Sequence, residues 1–362
     1  MRALTIAILL LTAARAFAED RLVVVAAARE GRIELFDASL QQMADITVFQ
    51  QLESAAASAD GRRLYIAQDD SKAAGTCCGL FSLELETLRM CSLGSQALFA
   101  VPSPDGRFLF TQAKGGVDVL DAHTLSHLPM MKGAGAYNLQ PSPDGHWLLG
   151  VTNSPDSAVD IFDLRARAMV RHVPIPAEPA AGAWGGDRFY LFEYAVDGTR
   201  GTGSLWELNP EWSQLPPPRT IGLPDFHGAC DEPVLLALAG TPGELFLAEA
   251  YGFKIDRRLA CPDQAQAGIY GIRPATGSVR HFAAAVRVHR MVATPDGHDI
   301  FVIQTSSPSP LGNIRLLHLD VQTGRILHSA SLGAGEWNLS LAHVPPGVAP
   351  HGTVRARSGC SR

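Results

Sequence analysis

An all-β fold is predicted by three observations on the sequence. A tight-turn signature recurs as Ser58-Ala59-Asp60-Gly61, Ser103-Pro104-Asp105-Gly106, Ser142-Pro143-Asp144-Gly145 and Thr294-Pro295-Asp296-Gly297, with a degenerate copy at Thr241-Pro242-Gly243-Glu244. Each clear copy is followed by a short apolar run, among them Arg63-Leu64-Tyr65-Ile66-Ala67, Phe108-Leu109-Phe110, Trp147-Leu148-Leu149 and Ile300-Phe301-Val302-Ile303. With 34 Gly and 24 Pro in 362 residues, the chain turns too often for a helical bundle. Counting stand-ins at Gly185-Gly186-Asp187 and Pro345-Pro346-Gly347, the turns recur at roughly 40 to 57 residues, the period of four-stranded blades. The prediction is a seven-bladed β-propeller of four-stranded antiparallel blades.

The chain divides into three segments. Residues 1–18 read as a signal peptide: Arg2, an apolar run from Leu4 to Ala14, then Ala16-Phe17-Ala18 with small residues where a signal peptidase cuts. Cleavage is expected after Ala18, giving a periplasmic or secreted protein. The apolar run is too short to span a bilayer, so no membrane insertion is expected. Residues 19–348 form one propeller domain, and residues 349–362 are expected to be a flexible C-terminal tail.

Within the propeller, Pro presets the turn backbone, Asp tolerates the next position, and Gly supplies the positive φ that returns the chain. A second hairpin follows in each unit, its first strand expected at Arg32 to Asp37, Leu80 to Leu85, Gly116 to Asp121, Ala158 to Asp163, Ser204 to Asn209, Gly268 to Arg273 and Asn313 to Asp320. Small residues precede the first turns, among them Ala55, Ala56, Ala57, Ala100, Ala183, Ala239 and Ala293, as crowding of seven inner strands about one axis requires. Asn338 to His343 reads as an inner strand without outer partners. Leu22 to Ala28, Arg32 to Phe36 and Ile46 to Phe49 read as three strands without an inner one. The two ends are therefore expected to complete one blade and remove the open edge of the ring.

The Ser/Thr-Pro-Asp-Gly repeat followed by an aromatic-apolar strand resembles the bacterial YVTN-type propeller repeat, over residues 22 to about 345. That superfamily includes the propeller subunits of quinoprotein amine dehydrogenases and lactonase-like enzymes. The resemblance implies the propeller fold and an association with a redox subunit, or a lactonase-like hydrolase. It rests on structural turns and assigns no residue a catalytic role.

Charge excludes some partners. With 30 basic and 36 acidic side chains and a formal net charge of −6, neither nucleic acid nor an anionic membrane surface is expected. Phosphate-loop, nucleophile-elbow, dinucleotide and zinc-protease motifs are absent, and no cofactor or metal is expected. A protein partner or small ligand is expected on the face carrying the long insertions Asp69 to Gly79, Glu193 to Gly203, Glu249 to Ala267 and Gln304 to Gly312. Blade-opening residues on that face supply the candidate binding set: Tyr137, Asn138, Asp225, His227, His289, Arg290, Trp337 and Asn338. Each also has an ordinary role, with Trp337 capping inner strands and the Asn side chains satisfying loop backbone. Glu193, Glu249, His227, His289 and Arg290 are the candidates for acid–base work on a lactone at the central opening. Tyr137, Trp184 and Trp337 are the candidates for glycan or peptide capture.

An oxidising compartment makes disulfides expected among Cys77, Cys78, Cys91, Cys230, Cys261 and Cys360. Cys230, just before an inner strand, and Cys261, in the second-to-third strand insertion of the same blade, fall together on the loop face, and their bridge would contribute about 3 kcal/mol in the chain-entropy view. Cys91 has Cys77 or Cys78 as alternative partners, and an adjacent Cys77–Cys78 bridge is also open.

Overall fold

The computed structural model describes residues 21–48, 52–68, 79–94, 99–133, 138–152, 157–175, 181–194, 202–212, 216–223, 235–250, 268–283, 288–305, 313–335 and 337–358, without the side chains of 194, 202, 235–237, 249 and 250. Its strands assemble as seven four-stranded, mostly antiparallel blades around an axis, and the described residues contain no helix.

Blade 1 runs outward through Leu52–Ala57, Arg63–Gln68, Gly79–Glu84 and Arg89–Ser92; blade 2 through Ala100–Pro102, Phe108–Ala113, Gly116–Asp121 and His127–Lys132. Blade 3 comprises Asn138–Pro141, Trp147–Thr152, Ala158–Asp163 and Ala168–Pro174; blade 4, Ala181–Gly185, Arg188–Tyr194, Thr202–Leu208 and Arg219–Gly222. Blade 5 comprises Leu235–Gly240, Leu245–Ala250, Ile269–Arg273 and Ser278–Ala283; blade 6, Val288–Ala293, Asp299–Thr305, Ile314–Asp320 and Ile326–Leu332. Blade 7 is the composite the sequence predicts, with inner strand Trp337–Val344 followed outward by Arg21–Ala28, Arg32–Asp37 and Gln42–Thr47. Its register runs from Arg21 opposite Val344 to Ala28 opposite Trp337. The outer strand begins at Gln42, ahead of the expected Ile46, because a bulge near Phe36 lets the turn start early.

The repeated turn owes its persistence to one hydrogen-bond pattern. Ser58, Ser103, Ser142 and Thr294 are buried, and their hydroxyls donate to Asp60, Asp105, Asp144 and Asp296 at 2.6, 2.5, 2.5 and 2.6 Å. The same hydroxyl accepts the amide that opens the second strand, from Arg63, Phe108, Trp147 or Asp299 at 2.8–3.0 Å. Each Asp also accepts the amide two residues on, at 3.0–3.1 Å. Burial pushes the Asp60 and Asp144 carboxyls up, but the hydroxyl and amide donors outweigh it and hold both below the usual carboxylate range. The hydroxyl of Thr294, then the amide of His298, lower Asp296 in the same way.

The hairpins joining third and fourth strands use a different device. Leu40, Leu88, Leu125 and Arg167 sit there at φ of 51–59°, places where glycine is more usual, and Asp37, Asp121, Asp163 and Asp320 cap the turns by accepting following amides.

The core is distributed rather than central. Seven apolar clusters fill the seven junctions between neighbouring blades, such as Val24, Ala26, Phe36, Phe301 and Leu316 between blades 6 and 7. Each blade therefore buries both faces, which is why the second strands read as continuous apolar runs.

The segment expected to be a flexible tail carries two short strands. Gly352–Arg355 lies parallel on the outer strand of blade 7, and Arg357–Ser358 lies parallel on the outer strand of blade 1. Between them Ala356 is buried in the junction of those blades, its amide donating to Thr47 O at 3.0 Å. Edge-strand backbone and one apolar slot are what hold it, and neither leaves a composition signal.

Candidate functional site

In each blade the inner strand starts on the long-loop face and ends at the first turn, which is the Ser/Thr-Asp turn in blades 1, 2, 3 and 6. The opening residues of the inner strands therefore rim the axial opening. Glu53, Tyr137 and His289 each stand five positions ahead of the turn Ser or Thr of their blade.

At blades 7 and 1 this rim is tied together. The Asn338 amide donates to the carbonyl of Glu53, 285 positions away in sequence. The Glu53 carboxylate in turn meets Arg29 at 3.3 Å. Beneath Asn338, Trp337 is 1% exposed, donates Nε1–H to Gly333 O at 2.9 Å, and lies under the Arg32 guanidinium at 5.2 Å. Trp337 thus packs as part of the wall, with its indole N–H given to a backbone partner.

The neighbouring blade 6 opens with a bulge. Pairing shifts between Val288 and Arg290, so His289 is the residue the bulge displaces and is buried, whereas Arg290 is exposed with its guanidinium donating to the His289 carbonyl at 3.1 Å. Blade 1 has the same irregularity between Leu52 and Ser54, with Glu53 the displaced residue. A bulge re-aims the side chain it displaces, and here two bulges flank the closing blade at the channel mouth.

On the far side of the ring, blades 3 and 4 are joined the same way. Gln140 donates to Gly182 O at 3.3 Å, and Trp184 Nε1–H donates back to Gln140 O at 3.3 Å. Asn138 is exposed at the mouth, 3.5 Å from the Gln140 amide. Of the aromatic capture set, Trp337 is buried and Trp184 is half-buried, each with its indole N–H bonded to backbone.

The acid–base set is divided between blades. Glu193 sits in the second strand of blade 4 opposite Ser204; burial pushes its carboxyl above the ordinary glutamate range, opposed by the Trp206 indole. His289 and Arg290 belong to blade 6. Glu249 lies in blade 5 opposite Leu236, with its side chain outside the described set. Tyr137, Asp225, His227, Cys77, Cys78, Cys230, Cys261 and Cys360 lie outside the described residues, as do most of the long insertions. Cys91 is half-buried on the outer strand of blade 1, opposite Ser82. No group of three or more His, Cys, Asp or Glu side chains is gathered as a metal cage among the described residues.

Sequence reasoning missed Arg29 and Glu53. The available signal was positional: aligning blades by their turn Ser or Thr puts Glu53 in the slot of His289.

No protein-family profile matches the chain, and no curated protein does. Its fold is similar to that of several solved structures. A chain of hydrazine synthase from Kuenenia stuttgartiensis aligns with a TM-score of 0.60 at 12% identity, over 81% of this chain and 90% of that one. The dihydro-heme d1 dehydrogenase NirN in complex with DHE aligns with a TM-score of 0.53 at 15% identity, over 90% and 76%. A functionally unknown protein from Desulfotomaculum acetoxidans aligns with a TM-score of 0.60 at 11% identity, over 90% and 99%. At these identities the likeness is one of fold.

Proposed function

We propose that this propeller is an exported, non-catalytic binding or scaffold module that serves a periplasmic redox system and receives its partner on the long-loop face. The observation that carries the proposal is the use made of the polar side chains around the axis. Asn338, Gln140 and Trp184 each bond a backbone group of a neighbouring inner strand, and Glu53 is paired with Arg29. These groups are committed to holding neighbouring blades together. They make the ring stiff and present its loops from a fixed base, as a docking platform needs. Two of the similar folds bear names of redox enzymes, a hydrazine synthase and a dehydrogenase, which supports the redox setting.

Native mass spectrometry of the mature protein from its host's envelope tests this. A recurring protein partner, weakened when exposed Arg290 is changed to Glu, is the expected result. A bare monomer across preparations overturns it.

A second reading, a lactonase-like hydrolase, is favoured by the Glu193 carboxyl, which burial pushes upward, the direction a general acid needs. Lactone hydrolysis by the purified protein, abolished in Glu193→Gln with the fold intact, would replace the scaffold reading with this one.

A further inference from the structure

The junction of blades 6 and 7 holds a pair of histidines that neither the repeat nor the axial rim accounts for. His318, on the third strand of blade 6, faces His328 directly across the outer strand pairing and Phe301 across the inner one. Its ring stacks on Phe301 at 4.6 Å between centroids and lies 5.5 Å from the His328 ring, with planes 32° apart. His318 is 6% exposed, whereas His328 is open to solvent.

The two nitrogens of His318 are treated differently. Nε2 lies 2.8 Å from Asp299 Oδ1. A carboxylate only accepts, so this contact places the proton on Nε2 and leaves Nδ1 of the neutral ring with a lone pair. That Nδ1 is buried and has no hydrogen-bond partner among the described residues. A buried acceptor without a partner is uncommon in a folded protein and asks for an explanation.

We propose that Nδ1 of His318 and the imidazole of His328 form a two-nitrogen site for a divalent transition ion of the copper, nickel or zinc class. Three features fit. A ligating histidine characteristically donates its other ring N–H to a carboxylate, which fixes ring and tautomer, and Asp299 stands in that position. With metal–nitrogen bonds of about 2.1 Å, two imidazoles sharing one ion have centroids about 5 Å apart, close to the separation observed. The second ligand is exposed and can turn about its Cβ–Cγ bond, so an ion enters from solvent without opening the core. Imidazole selects this borderline class over calcium or magnesium, which prefer oxygen. The remaining coordination positions are left to water on the side of exposed His328. Such a site differs from a closed cage, consistent with the absence of any three-ligand group among the described residues.

Copper(II) titration of the mature protein, followed by electron paramagnetic resonance and isothermal calorimetry, tests the proposal. The expected result is one site per chain with hyperfine structure from two imidazole nitrogens. It should be lost in His328→Ala and in His318→Phe, the latter keeping the aromatic stack on Phe301. Asp299→Asn should weaken it by about ten- to a hundredfold while leaving two nitrogens bound. His146→Ala, in the first turn of blade 3, should change nothing. Circular dichroism and urea midpoints confirm that each variant folds. Binding that survives both His328→Ala and His318→Phe, or no stoichiometric binding below about 100 μM copper, overturns the proposal.

Discussion

Removing the hydroxyl of Ser142 isolates the repeated turn as an energetic element. Ser142 is 2% exposed, and its Oγ accepts the Trp147 amide at 2.8 Å while donating to Asp144 at 2.5 Å. Ser142→Ala leaves the Trp147 N–H without its acceptor in a place water reaches poorly, a cost of about 1–3 kcal/mol. The bond to Asp144 contributes less, about 1 kcal/mol, because that carboxylate is exposed and water replaces the lost donor. The sum is about 2–4 kcal/mol. Ser142→Thr keeps Oγ, as Thr294 does naturally in blade 6, and should fall within about 0.5 kcal/mol of the parent. Urea unfolding followed by tryptophan fluorescence reads both, with an unchanged slope required so that the midpoint reports stability. The pH dependence adds a sign. A carboxyl held low in the folded state contributes stability above the unfolded value of about 4, and that contribution disappears as pH falls through the folded value. Ser142→Ala should shrink this acid-side loss. A parent-like midpoint for Ser142→Ala, or equal damage from Ala and Thr, would refute the reasoning.

Three further perturbations have worked directions. Gly61 and Gly145 share the same turn and positive φ, 63° and 68°, but a Cβ at Gly61 would lie 1.8 Å from His343 O whereas at Gly145 the nearest atom is 3.8 Å away. Gly61→Ala should therefore lower the urea midpoint far more than Gly145→Ala, whose cost is about 1–2 kcal/mol of backbone strain; equal effects would remove the steric argument. Glu34 is 4% exposed, and burial, with help from Asp45 and against Arg32, pushes its carboxyl above the ordinary range. The folded state then holds a proton the unfolded state has lost, so this group's penalty grows as pH rises from about 4; Glu34→Gln should match the parent near pH 4 and gain relative stability by pH 7, and a relative loss at pH 7 would reverse the sign. Deleting the chain from Gly352 onward uncovers two outer edges and the slot of Ala356. A loss of about 1–3 kcal/mol and concentration-dependent association by light scattering are expected, and a monomeric, equally stable variant would show the strap to be inert.

How much was legible in the sequence depended on how local the responsible physics is. The Ser–Asp turn closes within six residues, so its chemistry stands in the sequence, and the period of its copies carried the blade number and the composite blade 7. The third-to-fourth hairpins were placed by alternation, but their left-handed Leu40, Leu88, Leu125 and Arg167 gave no glycine signal. The C-terminal strands are held by parallel pairing to residues hundreds of positions away, which no local pattern encodes. At the axial rim the same division applies. Position alone places Arg290 and Asn338 at the opening of their inner strands, but the aromatic character of Trp337 fits both a ligand platform and a wall. Only its partners, Gly333 O and Arg32, decide between them. Glu53 gave no signal of its own because its role is made by a residue 285 positions distant.

The composite blade also fixes the order of events in making the molecule. Arg21–Ala28 precedes every other described strand in the chain and has no inner partner until Trp337–Val344 follows more than 300 residues later. Until then the leading strand, rich in Val and Ala, pairs with Arg32–Asp37 on one side and presents an open inner edge on the other. Pairings of such separation make closure slow relative to the formation of each local blade. The early-made end is therefore the segment in most need of a holding chaperone. It is also the segment through which a late truncation would be felt, at the opposite terminus from the lesion.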